Sequence, residues 1–188
     1  KKSYYFYMKV LFILFLLFSF PFFAQDKAIN YSDLDSELLN EFILEEVNAL
    51  RKKAKVKPLV NETLLKPAAN DHSGYMLNNS ILTHYQKGKV KKGPKNRVDY
   101  YGGQFKAVGE NVQLTYVQSK VKVKRKDKKV ETYSELAKSL IYNWEHSPPH
   151  YKNIITPDYK TTYTAVRVGE NGEIYACQLF GSNAYQKP

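Results

Sequence analysis

Three side chains of this sequence combine the chemistry of metal ligands with that of acid–base groups: His84, Glu110 and His150. Each sits in a short pattern: Ile81-Leu82-Thr83-His84, Gly109-Glu110-Asn111-Val112, and the run Trp144-Glu145-His146-Ser147-Pro148-Pro149-His150-Tyr151-Lys152-Asn153-Ile154-Ile155. All three are expected on loops between regular elements, where a scaffold usually carries binding or catalytic groups. His150 falls just beyond a helix-breaking Pro-Pro. Two neutral imidazoles can ligate a divalent metal such as zinc, while a carboxylate orients one ring through its other nitrogen. Two protein ligands are fewer than a catalytic zinc site usually has, so the spacing predicts a weakly held ion. The same groups can instead form a hydrogen-bonded polar cluster that ties loops to a sheet. A third use is hydrolysis, with His150 as base, Glu110 as orienter and Ser147 as the only hydroxyl nearby.

Other chemistry-bearing residues point elsewhere. His146 and His150 are four apart, which would put them on one helical face, but Pro148 and Pro149 interrupt that helix and with it a metalloprotease pattern. His72 lies at core spacing in Ala68–Met76 and is expected as a buried packing residue. Ser73 lacks the Gly-x-Ser-x-Gly turn of a hydrolase nucleophile. Cys177 sits in the middle of an apolar strand and is expected as a buried, inert thiol.

The elements that must position these groups follow from periodicity. A helix is marked from Asp33, with Leu38, Leu39, Phe42, Ile43, Val47, Leu50 and Ala54 at helical spacing, acids at its start and Arg51, Lys52 and Lys53 near its end. Pro58 stops it. A second helix spans about Leu65 to Asn78, with Pro67 tolerable only in its first turn. Gln86 to Gly103 has the composition of a loop. Val112 to Val130 reads as one strand pair with a charged tip at Lys126-Asp127-Lys128-Lys129. Thr132-Tyr133-Ser134-Glu135 is a capping box opening a helix with a stripe of Leu136, Ala137, Leu140, Ile141 and Trp144. Thr162–Val168 and Glu173–Leu179 are strands joined across Gly169-Glu170-Asn171-Gly172. Helices on both sides of a small antiparallel sheet make a layered α+β domain.

Lys9 precedes an unbroken apolar run from Val10 to Phe18, followed by Pro21 and by Ala24 before Gln25, the pattern of a secretory signal peptide. Residues 1–24 are therefore read as a cleaved leader, with Met8 as initiator and 1–7 as an upstream extension. Residues 25–36 are a short flexible lead, 37–183 the domain and 184–188 a tail. Pro21 interrupts a run too short to span a bilayer, so no stable membrane span is expected after cleavage. The expected destination is extracellular or periplasmic, and the expected state monomeric. The formal charge of +11 falls to +8 without Lys1, Lys2 and Lys9, leaving 26 basic against 18 acidic residues. That excess favours anionic partners: acidic glycans, lipid headgroups or envelope polymers. Nucleic acid is not an expected target of an exported chain. One cysteine excludes an internal disulfide framework, so stability must come from packing, for which 16 Tyr and 10 Phe are available. Lysines concentrate in two places, Lys87 to Arg97 and Lys120 to Lys129. Those at strand period 2 (Lys120, Lys122, Lys124) would share one face, serving either as a solvated strip that blocks edge aggregation or as a contact for polyanions.

The order of helix, His-bearing segment, Gly-Glu-Asn, helix ending in Trp, Ser-x-x-His-x-x-Asn-Ile and terminal hairpin resembles the CAP superfamily of cysteine-rich secretory, antigen 5 and pathogenesis-related proteins. The likeness runs from about Leu38 to Gly181 and is nearest to short, disulfide-free bacterial members. It implies an α-β-α sandwich with a shallow cleft that in many members holds two histidines and two acids. By motif the histidines fall on His84 and His150 and the first acid on Glu110, with Asn111 beside it. The second acid aligns with Ser147, Glu145 lying two residues earlier, so three of four positions are kept. The resemblance implies a binding module that takes lipid, glycan or protein ligands; hydrolysis of peptides or envelope material, and adhesion through the basic strip, are the alternatives.

Overall fold

Apolar residues at helical spacing fold as α1, Ser36–Lys53, and bury Leu39, Phe42, Ile43, Val47 and Leu50. The Asp35 side chain accepts a hydrogen bond from the Leu38 amide at 3.0 Å, so the helix starts two residues later than the first acid suggests. The computed structural model describes residues 26–183 apart from 118, 119, 124 and 125, and gives backbone alone for 120–123 and 126–129. The leader, the tail and the lysine side chains of the Lys120–Lys124 strip lie outside the described residues.

After α1 come β1 (Val60–Asn61), α2 (Lys66–Asn78), α3 (Pro94–Tyr100), β2 (Val108–Tyr116), β3 (Lys120–Val123), β4 (Lys126–Lys129), α4 (Tyr133–Glu145), α5 (Pro148–Ile155), β5 (Thr161–Val168) and β6 (Glu173–Gly181). The main sheet has the order β1-β5-β6-β2; β3 and β4 form a separate hairpin. β5, β6 and β2 are antiparallel neighbours, whereas β1 runs parallel to β5, so the sheet is mixed rather than purely antiparallel. Gly172, at φ +82, supplies the left-handed turn residue between β5 and β6.

Strand alternation sends side chains into two separate cores. Ile174, Ala176 and Phe180 of β6 pack with α1, α4 and Ile154 of α5. Tyr175, Cys177 and Leu179 pack with Leu65, Ala68, Ala69 and Met76 around α2 and with Val98 of α3. The result is the expected α-β-α sandwich.

Three local expectations change. The stretch 86–103 encloses α3, because Gly93 and Pro94 mark the start of a short helix instead of excluding one. Val112–Val130 is not one strand pair: Val112 and Leu114 belong to the second core, so β2 pairs with β6 and leaves β3 and β4 to each other. The lead read as flexible is tied down: the Ile29 amide donates to the Glu131 carbonyl at 2.9 Å, Tyr133 to Lys27 at 3.1 Å, and Ile29, Tyr31 and Leu34 pack on the first core.

Arg51, at the end of α1, is fully buried and fixes the far end of α5. Its guanidinium donates to the carbonyls of Lys57 (2.6 Å), Ile154 (2.6 Å), Thr156 (3.0 Å) and Tyr159 (3.3 Å). Three of these acceptors lie at and beyond the C-terminus of α5, where helical partners run out, and the contact with Ile154 is buried. Replacing the side chain by an apolar one of similar length strands them. Arg51→Met is expected to cost about 3 kcal/mol in denaturant unfolding; a loss below about 1 kcal/mol would mean that the carbonyls find other donors.

Candidate functional site

β2 is an edge strand, and its side chains point alternately into the two layers. Glu110 and Val112 face α2 and α3, whereas Asn111 faces α5. Gly109 precedes them because a Cβ there would collide with the hydroxyl end of Tyr159, whose ring stacks on Phe180. The Gly-Glu-Asn pattern is thus a close approach followed by two residues aimed in opposite directions.

The Glu110 side chain is only 1% exposed. Such a carboxylate needs cationic and hydrogen-bonding partners. Arg97 of α3, itself fully buried, pairs through its Nη2 with Glu110 Oε2, and its Nη1 donates to the carbonyls of His84 and Lys92, each at 3.2 Å. Glu110 Oε1 lies 2.8 Å from His84 Nδ1. A carboxylate paired with Arg97 accepts, so Nδ1 carries the proton; in the neutral ring Nε2 then bears the lone pair. The His84 side chain is 44% exposed.

His72 of α2 lies behind this pair, fully buried, with Nε2 2.7 Å from the Thr83 carbonyl and Nδ1 3.3 Å from Gln86 Nε2. Gln86 Nε2 also donates to Asp71 at 2.8 Å, and Lys91 binds the other oxygen of Asp71 at 2.7 Å. These partners define the His72 tautomer: Nε2–H donates to Thr83, and Nδ1 accepts from Gln86. The ring is neutral, and burial holds its pKa below the ordinary histidine range. Its bond to Thr83 positions the backbone one residue before His84.

On the other side, Asn111 Nδ2 donates to the His150 carbonyl at 3.2 Å, and Asn153 Nδ2 donates to the Glu110 carbonyl at 3.1 Å and to Asn111 Oδ1 at 2.9 Å. Asn153 thereby covers an acceptor on the open edge of β2 and binds α5 to it. His150 is the third residue of α5 and is half-buried. Burial lowers its pKa, and a protonated His84 would lower it further.

The site therefore differs from its sequence expectation in support. Only His84 is on a loop; Glu110 is within β2 and His150 within α5. Pro148-Pro149 ends α4 and opens α5, since proline is at home in a first turn. Ser147 precedes α5, and among the described residues its hydroxyl has no hydrogen-bond partner. His146 is exposed and bonds the Tyr142 carbonyl at 2.8 Å, apart from the cluster. Cys177 is buried as expected, its thiol pushed well up by burial, and its Sγ lies 3.4 Å from Glu110 Oε2. His72 is buried as expected but belongs to the cluster. Sequence reasoning missed Arg97, Gln86 and the anchoring by Asn153; the one usable signal was that a carboxylate in an apolar strand requires a cation. Among the described residues, no group of three or more His, Cys, Asp or Glu side chains is arranged to hold a metal. A separate hollow of about 870 Å3, lined by Tyr31, Tyr116 and the β5–β6 turn, contains none of these groups.

The family model of the cysteine-rich secretory protein family, CAP, matches residues 44–180. The chain belongs to the CAP family. No curated protein matches the sequence. Among solved structures, an outer surface protein of Borrelia burgdorferi is similar, with a TM-score of 0.63 at 17% identity over 85% of this chain and 99% of that one. An extracellular protein of Bacillus anthracis containing an SCP domain gives 0.59 at 17% identity over 79% of this chain; the CAP chain spans only 41% of that protein. NaASP2, solved with Zn2+, gives 0.52 at 15% identity, covering 81% of this chain and 87% of that one. At these identities the likeness establishes the fold alone.

Two outcomes follow from the buried network. Glu110→Gln leaves Arg97 charged and unpaired, with an expected cost of about 3 to 5 kcal/mol. The double variant Glu110→Leu/Arg97→Met removes both charges and is expected to be the more stable of the two in urea; the reverse order would show that Arg97's bonds to the His84 and Lys92 carbonyls outweigh the cost of its unpaired charge. The second concerns pH. The folded pKa of His72 is depressed, so the unfolded state binds the extra proton first. Stability is then full above the unfolded value of about 6.5 and declines as pH falls below it. His72→Gln is expected to reduce the difference between unfolding midpoints at neutral and mildly acidic pH; an unaltered difference would assign that slope to other groups.

Proposed function

We propose that this CAP protein is exported and works as a binding module outside the cytoplasm or at the cell envelope, with the ground between His84 and His150 as its ligand site. The observation that carries this is the state of His84. Its ring is held at Nδ1 by a carboxylate that is itself buried and paired, so that in the neutral ring Nε2 is the accepting atom. The His84 side chain is 44% exposed, and the helix that carries His150 is bonded to the same strand. Such an arrangement is preorganised for a hydrogen-bond donor or an electrophile. The leader-like residues 1–24 support export, and no helix among the described residues is long and apolar enough to cross a membrane.

The donor set also fits a weakly bound divalent ion such as zinc. His84 Nε2 and a ring nitrogen of His150 would hold it. Glu110 would act through His84 instead of as a ligand, because both its oxygens are engaged. A two-ligand ion keeps positions open for a ligand's own oxygen or nitrogen donors and supplies a positive charge there. Hydrolysis through Ser147 has no comparable support, since its hydroxyl bonds neither imidazole.

Zinc titration tests the proposal. At about ten times its Kd, zinc should stabilise the domain by about 1.4 kcal/mol, and His84→Ala or His150→Ala should abolish that gain while leaving apo stability nearly unchanged. A gain retained in both variants would place the ion elsewhere, and no heat and no midpoint change in the native protein would remove metal from the account.

A further inference from the structure

The 29 residues between α2 and β2 (79–107) have buried side chains that build the site and exposed ones that the site does not use. Inward, Gln86, Arg97 and Val98 are buried. Outward, Tyr85 is 61% exposed, Val90 65% and Tyr100 57%. These are large apolar surfaces in one short stretch, and the stretch is tightly held. The Gln86 amide donates to the Lys92 carbonyl at 2.9 Å, closing the loop 87–91 at its base. The Lys87 amide donates to the Tyr75 hydroxyl at 3.1 Å, and Lys91 is locked on Asp71. Val90 thus projects from a braced loop, and no collapse onto the core conceals it.

The charges on this outer side divide into two sets. Lys91 and Lys95 are paired with Asp71 and Asp99. Lys87, Lys89 and Lys92 are exposed and, among the described residues, have no carboxylate within ion-pair distance. An exposed aliphatic tip, two exposed tyrosines and three uncompensated lysines match the chemistry of a bilayer interface. There, aromatic rings sit at headgroup depth and each lysine near an anionic leaflet is worth about 1 kcal/mol. A soluble polyanion would be met by the lysines alone and would leave Val90 and Tyr85 without a role.

We propose that the 85–100 segment is a membrane-docking surface that seats on anionic lipid headgroups, with Tyr85, Val90 and Tyr100 entering the interface and Lys87, Lys89 and Lys92 lying against the phosphates. His84 is adjacent to Tyr85 in the chain, so docking brings the cleft to the membrane. This does not depend on what the cleft holds.

The test uses the chain from Gln25 onward, which contains every residue named in the two cores and lacks the apolar run of Val10 to Phe18, which would itself partition. Sedimentation with phosphatidylcholine vesicles, with and without phosphatidylglycerol, should give binding only to the mixed vesicles, weakening as salt rises. Lys87→Gln/Lys89→Gln/Lys92→Gln should lower the partition coefficient by roughly a hundredfold. Tyr85→Ser/Val90→Ser should lower it by about tenfold or more, at low and high salt alike. All these side chains are exposed, so far-ultraviolet dichroism should stay that of the native protein. The proposal is overturned if mixed vesicles do not bind. It is equally overturned if Lys120→Gln/Lys122→Gln/Lys124→Gln abolishes binding while the loop variants retain it. Lysine-dependent binding that ignores the Tyr85→Ser/Val90→Ser change would identify a polyanion contact instead and overturn it too.

Discussion

A carboxylate taken out of water has to be met by charge and by hydrogen-bond donors, or it will not remain ionised. Glu110 is placed under that constraint by strand alternation alone: it lies on an edge strand between Gly109 and Asn111 and points into the core beneath α2 and α3. Arg97 answers the charge, and α3 is the element that brings it. With one carboxylate oxygen engaged by Arg97, the other is available to His84. The exposed imidazole therefore inherits its orientation from an interaction that is wholly internal, which is how a loop residue comes to be held as firmly as one on a strand.

The edge position of β2 explains why the site draws on both layers. A strand with neighbours on each side would have presented Glu110 and Asn111 to two cores that never meet. At the edge, α5 approaches from one layer and the His84 segment from the other, so the one strand holds both histidine-bearing segments. Asn153 covers the carbonyl of Glu110 and fastens α5 to the same strand, while Arg51 secures the C-terminal turn beside it from within the first core. Asn111 holds the His150 carbonyl near the start of the helix, so the placement of His150 depends on contacts near both ends of α5. This is why the motif extends past the histidine to Asn153 and Ile154, whose side chain is fully buried.

Much of this was legible in the chain. Period-3.6 stripes located α1, α2 and α4, and Gly169-Glu170-Asn171-Gly172 located the final hairpin, because each depends on residues that are neighbours along the sequence. His84, Glu110 and His150 were legible as a set through the order of motifs. What escaped was interaction between distant segments. Nothing in Gln86–Gly103 announces that Arg97 alone among its basic residues is buried, because the reason lies thirteen residues further on, in a different layer. His72 has the spacing of a core residue and is one; its second role depends on Gln86, which arrives by tertiary contact. The two prolines read as an interruption because they end one helix, and a local pattern does not reveal that they also begin the next.

The claim at the centre of this account is that Glu110 fixes the tautomer of His84 from beneath. Nitrogen-detected magnetic resonance of the imidazole rings at neutral pH measures it directly. The account predicts His84 protonated at Nδ1 with a strongly hydrogen-bonded proton, a bare Nε2, and loss of that proton signal in Glu110→Gln, while His72 in the native protein carries its proton on Nε2. A His84 ring protonated chiefly at Nε2, or one averaging freely between tautomers, would contradict it.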